Sequence, residues 1–258
     1  MKKTEFINLI VLLAAVATGM TSCKVSDTDD MNLVYPNALV TVKPDTDGNT
    51  FHMQLDDKTV LIPVNMTKSP YGDKEVRALV NYNAAEENDI SRANPYSGDD
   101  DRNTVYVNWL DSILTKKMAL DLGPEKNISS YGNDPVDMIN DWVTVAEDGY
   151  LTLRFRTFWG TGVAHTVNLV ATPTDENPYC VTFYHNANGD FMGRSADGLV
   201  AFRLNNLPDT GDKTVDLVLK WYSFTGLRSA TFKYSTRKGI IGKSGSNLAT
   251  LSERIELD

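Results

Sequence analysis

Short runs of β-branched and aromatic residues, separated by turn-forming residues, recur along almost the whole chain. The alternation is cleanest in the second half, where Leu151, Leu153 and Phe155 are each followed by a polar or charged residue. Because successive side chains of a strand point to opposite faces, such a segment buries one face and leaves the other in water. Sustained helical periodicity is scarce. The pattern therefore predicts an all-β protein.

The first half of the chain predicts a small barrel of five strands. The candidate strands are Asn37–Lys43, Phe51–Leu55, Val60–Val64, Glu75–Tyr82 and Thr104–Leu110. Asp47-Gly48, between the first two candidates, is a strong hairpin signal because both turn positions favour positive φ. Short strands at this spacing are typical of a small closed barrel, which is predicted to occupy residues 35–121.

Residues 122–135 predict a linker, since Gly, Pro, Asn and Ser are frequent there and no apolar period is sustained. Beyond them, the alternating segments of residues 136–238 predict a β-sandwich, in which the apolar faces of two sheets pack together. Asn188-Gly189 and Asp197-Gly198 are predicted turns. The best candidate for a helix is Pro135–Trp142, because it begins with a proline at the first helical position.

The N-terminus has the order of a secretory signal. Lys2 and Lys3 precede the apolar run Leu9–Ala17, which is about half of the roughly 20 residues that span a bilayer. Met20-Thr21-Ser22-Cys23 follows and resembles a bacterial lipobox, whose cysteine sulfur takes a diacylglycerol and whose mature chain carries palmitate-type acyl groups. The prediction is a signal peptide over residues 1–22 and lipidation at Cys23. Cleavage after Ala17-Thr18-Gly19 by ordinary signal peptidase is the alternative.

Residues 23–34 are polar and acidic and predict a flexible tether behind the lipid anchor. Lipidation together with this tether predicts an outer-membrane protein that meets the membrane through its acylated N-terminus. An acidic spacer is compatible with either face of that membrane, so both periplasmic and cell-surface exposure remain open.

Two classes of partner are not expected, and the net charge of −9 argues against the first. Binding of nucleic acid relies on clustered Lys and Arg that release counterions, so no nucleic-acid partner is expected. Gly242-Lys243-Ser244 imitates the end of a phosphate-binding loop, but Arg237 stands where the motif needs its first glycine, so no nucleotide is expected. That segment belongs to residues 239–258, where glycine and serine predict a loop-like tail.

No cofactor and no metal site is predicted. Asp45, Asp47 and Asn49 have the spacing of the first ligands of an EF-hand, but Thr50 occupies the place that needs glycine. The acidic run Asp99–Asp101 is interpreted as a solvated loop, with a weak calcium site as the alternative.

The chain has two cysteines, Cys23 and Cys180. Acylation of Cys23 would leave Cys180 without a disulfide partner, and its strand-like surroundings predict a small buried hydrophobe. His185 follows at the end of the same predicted strand and makes only a weak case for a catalytic thiol.

Four tryptophans offer surfaces on which sugars could stack. Trp109 and Trp221 are in phase with the apolar residues of their strands, which favours core packing. Trp159 lies at a predicted strand end and is expected to be the most exposed, so it is the candidate ligand-binding residue. Carboxylates such as Asp141 and Glu147 could serve glycoside hydrolysis only at a separation that the fold decides, and no catalytic residue is assigned.

Two groups of segments together resemble the NigD-like lipoprotein family. Those of the first half are Tyr35–Lys43, Phe51–Asp56 and Val60–Asn65. Those of the second half are Asn133–Pro135, Asp141–Val145, Glu147–Phe155 and Gly198–Leu204. The resemblance covers the chain from about Tyr35 to Lys238 and implies an N-terminal OB-like barrel followed by a C-terminal β-sandwich. It implies no catalytic residues.

The leading hypothesis is a lipid-anchored outer-membrane lipoprotein of the cell envelope that binds a saccharide or protein and is not an enzyme. A bacteriocin-associated role, such as an immunity factor, is one form of this hypothesis. The alternative is a surface protein that binds or hydrolyses glycans.

Overall fold

The computed structural model describes residues 34–46, 48–86 and 103–237. The chain folds into strands almost throughout these ranges, as the alternating pattern predicts. The strands are β1 (Ala38–Pro44), β2 (Phe51–Gln54), β3 (Val60–Pro63), β4 (Val76–Ala84), β5 (Asn103–Ser112), β6 (Leu114–Lys117), β7 (Asp137–Met138), β8 (Val145–Glu147), β9 (Tyr150–Trp159), β10 (Thr166–Ala171), β11 (Cys180–Asn186), β12 (Arg194–Arg203), β13 (Val215–Ser223) and β14 (Gly226–Tyr234). One helix, α1 (Pro124–Tyr131), is described.

The first five strands form a closed barrel in the order β1-β2-β3-β5-β4. β1 and β2 form the predicted antiparallel hairpin, with Lys43 opposite His52, while β3 and β5 run parallel. One face of each strand points into the barrel, and burying these apolar side chains holds it together. The fully buried members of this core include Val40, Val42, Met53, Ala78 and Val80.

The second half is a sandwich of two sheets. One has the order β10-β11-β13-β14 and the other β6-β12-β9-β7, with β8 also pairing with β9. The alternating residues of β9 face the core as expected: Leu151 and Leu153 are fully buried, and Phe155 packs beside Phe183 with ring centroids 5.4 Å apart. The all-β prediction and the division into an OB-like barrel and a β-sandwich are confirmed.

The chain passes from barrel to sandwich at Ile113, because β6 already pairs in parallel with β12 of the sandwich. This crossing lies ahead of residues 122–135, where the linker was predicted. That stretch contains α1, which begins with Pro124 in its first turn, ends at Tyr131 and is followed by Gly132 as its C-cap. The barrel and sandwich belong to one compact unit.

Two local predictions are wrong. Pro135–Trp142 is not a helix; it contains β7, and Asp134 just before it accepts a hydrogen bond from the Ala187 amide (2.8 Å). Asp197-Gly198 is not a turn but lies inside β12. A Cβ atom on Gly198 would lie 2.5 Å from the Phe155 ring, so glycine is needed there for close packing.

Several predicted features lie outside the described residues: Cys23 with the tether as far as Leu33, the acidic run Asp99–Asp101, and Gly242-Lys243-Ser244 with the rest of the tail. Among the residues that are described, no helix has the length and apolar character needed to cross a membrane.

Candidate functional site

The contact between barrel and sandwich is built around Tyr150, the first residue of β9. Its side chain is fully buried, and the guanidinium groups of Arg77, Arg203 and Arg237 lie 5.9, 5.6 and 5.5 Å from its ring centroid. Its hydroxyl donates to Glu75 Oε1 at 2.6 Å. Burial is the main reason that the pKa of Tyr150 is raised, and the negative charge of Glu75 adds to it. Tyr150 therefore stays neutral and acts as a donor.

Arg77 of the barrel has no exposed surface. It donates to Thr41 Oγ1 at 3.0 Å within the barrel and to Glu147 Oε1 at 2.5 Å in the sandwich. Burial raises the pKa of Glu147, and the charge of Arg77 offsets only part of that effect. A buried guanidinium is tolerated because its donors are satisfied across the boundary.

Asp148, beside Glu147, makes a second bridge. Lys43 Nζ lies 2.8 Å and Arg237 Nε 2.9 Å from Asp148 Oδ1. Burial opposes ionisation of Asp148, but hydrogen bonds and charge from Arg237 and Lys43 lower its pKa below the ordinary value. Burial also lowers the pKa of Lys43, with the nearby charge of Arg237 acting in the same direction.

This junction holds the two domains together. Asp141, the other carboxylate considered from the sequence, belongs to a separate surface network in which Arg154 Nη1 lies 2.7 Å from its Oδ2. Glu147 and Asp141 therefore each have an arginine as partner. The prediction that no catalytic residue can be assigned stays a prediction.

A second site lies at one end of the sandwich. Phe158 from the end of β9, Phe191 from the β11–β12 loop and Phe224 from the β13–β14 turn line a cavity of about 250 Å³. We call these three residues the aromatic corner. They are 39%, 55% and 46% exposed, and the rings of Phe158 and Phe224 meet at 79° with centroids 5.5 Å apart. Contiguous exposed aromatic side chains are unusual unless a surface is used for binding.

The polar groups of the cavity wall are Asp134, Thr157 and Asp190. The Thr157 hydroxyl donates to the Pro135 carbonyl at 3.2 Å, and Asp134 Oδ2 accepts from the Ala187 amide. Within the described residues, no donor reaches Asp134 Oδ1. Asp134 lines the cavity and is only partly buried.

Asp190 clamps the β9–β10 loop. Its oxygens accept from the amides of Gly160 at 3.0 Å and Thr161 at 3.1 Å. The Gly160 amide is the main reason that the pKa of Asp190 is lowered, and the Thr161 amide adds to it against the opposing effect of burial. The backbones of Gly160 and Gly193 cross with no room for a side chain. A Cβ on Gly160 would lie 1.8 Å, and one on Gly193 2.2 Å, from a carbonyl oxygen of the other segment. The two loops that carry this end of the sandwich are thus packed backbone to backbone.

Two histidines lie behind the cavity wall. His165 Nδ1 is 2.9 Å from His185 Nε2, and His185 Nδ1 is 3.2 Å from the Asp134 carbonyl oxygen. His165 Nε2 lies 3.6 Å from Asp190 Oδ2, too far for a normal hydrogen bond. Burial lowers the pKa of His185, so it is neutral at pH 7.

Trp159, the residue predicted to bind a ligand, stacks on His165 with ring centroids 4.0 Å apart and donates its indole N–H to the Ala196 carbonyl. It is partly buried against the sandwich core, and Trp142, at 54%, is the more exposed tryptophan. The expectation that Trp159 is the most exposed tryptophan is therefore wrong. Its ring lies at a strand end, but His165 and the sandwich core cover it. A ligand role for Trp159 stays a prediction.

No pattern in the sequence predicts the aromatic corner. Its three phenylalanines are spread over residues 158–224, and only the meeting of a strand end, a loop and a hairpin turn brings them together. The Asn188-Gly189 turn, which positions Phe191, is the one predicted feature nearby, and both of its residues have positive φ. Cys180 is buried, as predicted. Among the described residues, no group of His, Cys, Asp and Glu is suited to hold a metal ion.

Solved structures provide three comparisons. A Parabacteroides distasonis protein described as toxin-related is 35% identical over 77% of this chain and 92% of its own, with a TM-score of 0.62. A Bacteroides vulgatus protein of unknown function is 23% identical over 84% of this chain and 97% of its own, with a TM-score of 0.57. A NigD-like immunity protein from Bacteroides caccae shares the fold at 19% identity, over 77% of this chain and 96% of its own, with a TM-score of 0.52.

Among curated proteins, none matches the chain significantly. Family comparison covers both halves. The NigD-like N-terminal OB domain matches residues 39–113, and the NigD-like C-terminal beta sandwich domain matches residues 119–234. With its barrel, its sandwich and these two adjoining matches, the chain belongs to the NigD-like family.

Proposed function

We propose that this protein is a lipoprotein anchored in the outer membrane through Cys23, and that it acts by binding a partner at the aromatic corner rather than by catalysis. The observation that carries the proposal is the cavity itself. Three exposed phenylalanines surround it, while most polar groups of its wall are already hydrogen-bonded within the protein. Burial of this apolar area makes binding of a partner favourable, and the surface offers few groups for proton transfer.

The anchor is tested by Cys23→Ala. The substitution removes the sulfur that would be acylated, and stable attachment needs at least two acyl chains. We expect the protein to move from the membrane fraction to the soluble fraction, with unprocessed precursor accumulating. A Cys180→Ala variant is the matched control and should stay membrane-bound. Continued membrane attachment and normal processing of the Cys23 variant would refute lipidation at this residue.

Binding is tested by placing a photo-crosslinking amino acid at Phe191 in living cells, with Leu114, an apolar residue of β6 with nearly the same exposure (56% against 55%), as control. We expect a discrete cross-linked species from position 191 and none from position 114. Equal labelling from both positions, or none from either, would contradict the proposal.

A glycan-directed function is the alternative. The cavity of about 250 Å³ lies below the roughly 300–1,000 Å³ typical of small-molecule sites, and a sugar would find few free polar groups to recognise its hydroxyls. Incubation with glycan libraries tests this alternative. Binding or turnover that is lost in Asp141→Asn or Glu147→Gln would favour a glycan-acting protein over the binding role proposed above.

The name of the Bacteroides caccae protein raises an immunity role against a toxin as one form of partner binding. Deletion of the gene should then increase sensitivity to a bacteriocin, and unchanged sensitivity would count against this role.

A further inference from the structure

Resting on the binding role proposed above, we infer that the aromatic corner is a cation-binding cage, and that its occupant is a lysine side chain presented by a protein partner. Two features of the cavity point to this chemistry: the arrangement of its rings and the sign of its charges.

Two of the three rings meet nearly at a right angle, and the third lines the same cavity. Phe158 and Phe224 are close to perpendicular, at 79°, and Phe191 supplies a third exposed ring. The face of an aromatic ring carries partial negative charge and attracts an ammonium group, and cages of several rings are a recurring way to bind such groups. Among the described residues, no lysine or arginine of the protein lies over these three rings, since the cation–π contacts all involve Tyr150.

The charged residues of the cavity wall are both acidic. Asp190 is buried, and its oxygens accept from the amides of Gly160 and Thr161, so the partly buried Asp134 is the wall carboxylate left to meet a cation. Within the ranges that the structure describes, no basic side chain lines the cavity. The charges are therefore complementary to a cation, and the net charge of −9 attracts basic partners at long range.

Size selects the side chain. About 250 Å³ has room for one long side chain but falls below the usual volume of small-molecule sites. A lysine combines a flexible apolar stem, which can lie along the phenylalanine rings, with a compact ammonium head that can reach Asp134.

The test is an NMR titration of the full chain, held in detergent micelles and carrying ¹³C-labelled phenylalanine. The probes are a blocked Gly-Lys-Gly peptide, the same peptide with Nε-acetyllysine, and the same peptide with norleucine. We expect only the lysine peptide to shift the resonances of Phe158, Phe191 and Phe224 at millimolar concentration, with the other two binding at least about tenfold more weakly because they lack the charge.

Matched variants test whether the charge of Asp134 and the ring of Phe224 contribute to binding. Asp134→Asn keeps an acceptor for the Ala187 amide but removes the negative charge. It should lower the affinity for the lysine peptide by about tenfold. Asp216→Asn removes an equal charge from an exposed position on β13 and should leave binding unchanged. Phe224→Ala should weaken binding by roughly twofold to fivefold and Phe224→Trp should strengthen it, because Trp is the best cation–π partner.

Equal binding of the lysine and norleucine peptides would overturn the cation cage while leaving an apolar binding surface intact. Tetramethylammonium is titrated in the same way. If it shifts the three phenylalanine resonances and the lysine peptide does not, the inference that a protein partner supplies the cation is overturned. Absence of any effect from Asp134→Asn, or an equal effect from Asp216→Asn, would overturn the role of the cavity charge. Failure of the proposed binding role is reported separately by the cross-linking at Phe191.

Discussion

Gly198 occupies a position on β12 where only a hydrogen atom fits. It lies in an ordinary strand conformation, so its role is not that of a turn former. Phe155 from the neighbouring strand covers it, and an added methyl group would meet that ring at 2.5 Å. Sequence reasoning treats Asp-Gly as a turn because glycine tolerates positive φ, but here glycine serves the packing of the sandwich core.

Gly198→Ala should therefore lower the free energy of unfolding by about 1–3 kcal/mol, the usual cost of overpacking a core. Urea denaturation of the purified protein measures the change. Ser195→Ala, on an exposed part of the same strand, is the control and should stay within about 0.5 kcal/mol of the parent protein. Equal stability of both variants would show that Phe155 can move aside freely.

The loops between β9 and β10 and between β11 and β12 behave as one element because of Asp190. A charge-assisted hydrogen bond is about twice as strong as a neutral one, and this carboxylate accepts from both Gly160 and Thr161. The crossing of Gly160 and Gly193 brings the two backbones together at the same place. These contacts hold Phe191 and the cavity in position.

Asp190→Asn should speed hydrogen exchange at the Gly160 and Thr161 amides by roughly tenfold or more, because it weakens hydrogen bonds to a charged acceptor. Exchange in the strand cores should be unchanged. Asp175→Asn, in the exposed β10–β11 loop, is the control and should have no effect at these two amides. Unaltered exchange in Asp190→Asn would mean that the glycine crossing alone fixes the loops.

At the level of elements, much of the fold could be predicted. The β1–β2 hairpin, the inward residues of β9 and the Asn188-Gly189 turn all follow from period-2 alternation and local turn chemistry. The helix was misplaced because α1 is short and mostly polar, with one residue, Asn127, buried. Asn127 is fixed by side-chain contacts to Asp121 and the Leu122 amide, which no helical period reveals.

For the whole molecule, the domain junction makes stability depend on acid pH. Asp148 and Glu75 have ordinary pKa values of 3.8 and 4.5, and the arginines of the junction lower both in the folded state despite burial. Such groups contribute stability that is fully present above their unfolded pKa and is lost as pH falls through the lower folded value. Stability should thus decline from about pH 5 downward.

Asp148→Asn should flatten this acid limb when urea denaturation is measured between about pH 7 and pH 2, because a group that no longer titrates cannot contribute to the slope. Asp216→Asn removes an exposed carboxylate whose side chain is 56% accessible, and it should leave the limb unchanged. An identical slope in the Asp148 variant and the parent protein would contradict the assignment of acid sensitivity to the junction.

The sequence by itself determined the all-β class and the two-domain order, because alternation and turn residues act over a few neighbouring positions, and the resemblance of particular segments indicated the family. Only the tertiary structure decided what covers each strand face. Tyr150 lies on the face of β9 opposite the sandwich core and is nevertheless fully buried, since the barrel and its arginines close over it. Phe158, on the same outward face, remains exposed and joins two distant phenylalanines. A strand's period specifies that two faces exist, whereas long-range packing decides which outward face becomes a domain contact and which a binding surface.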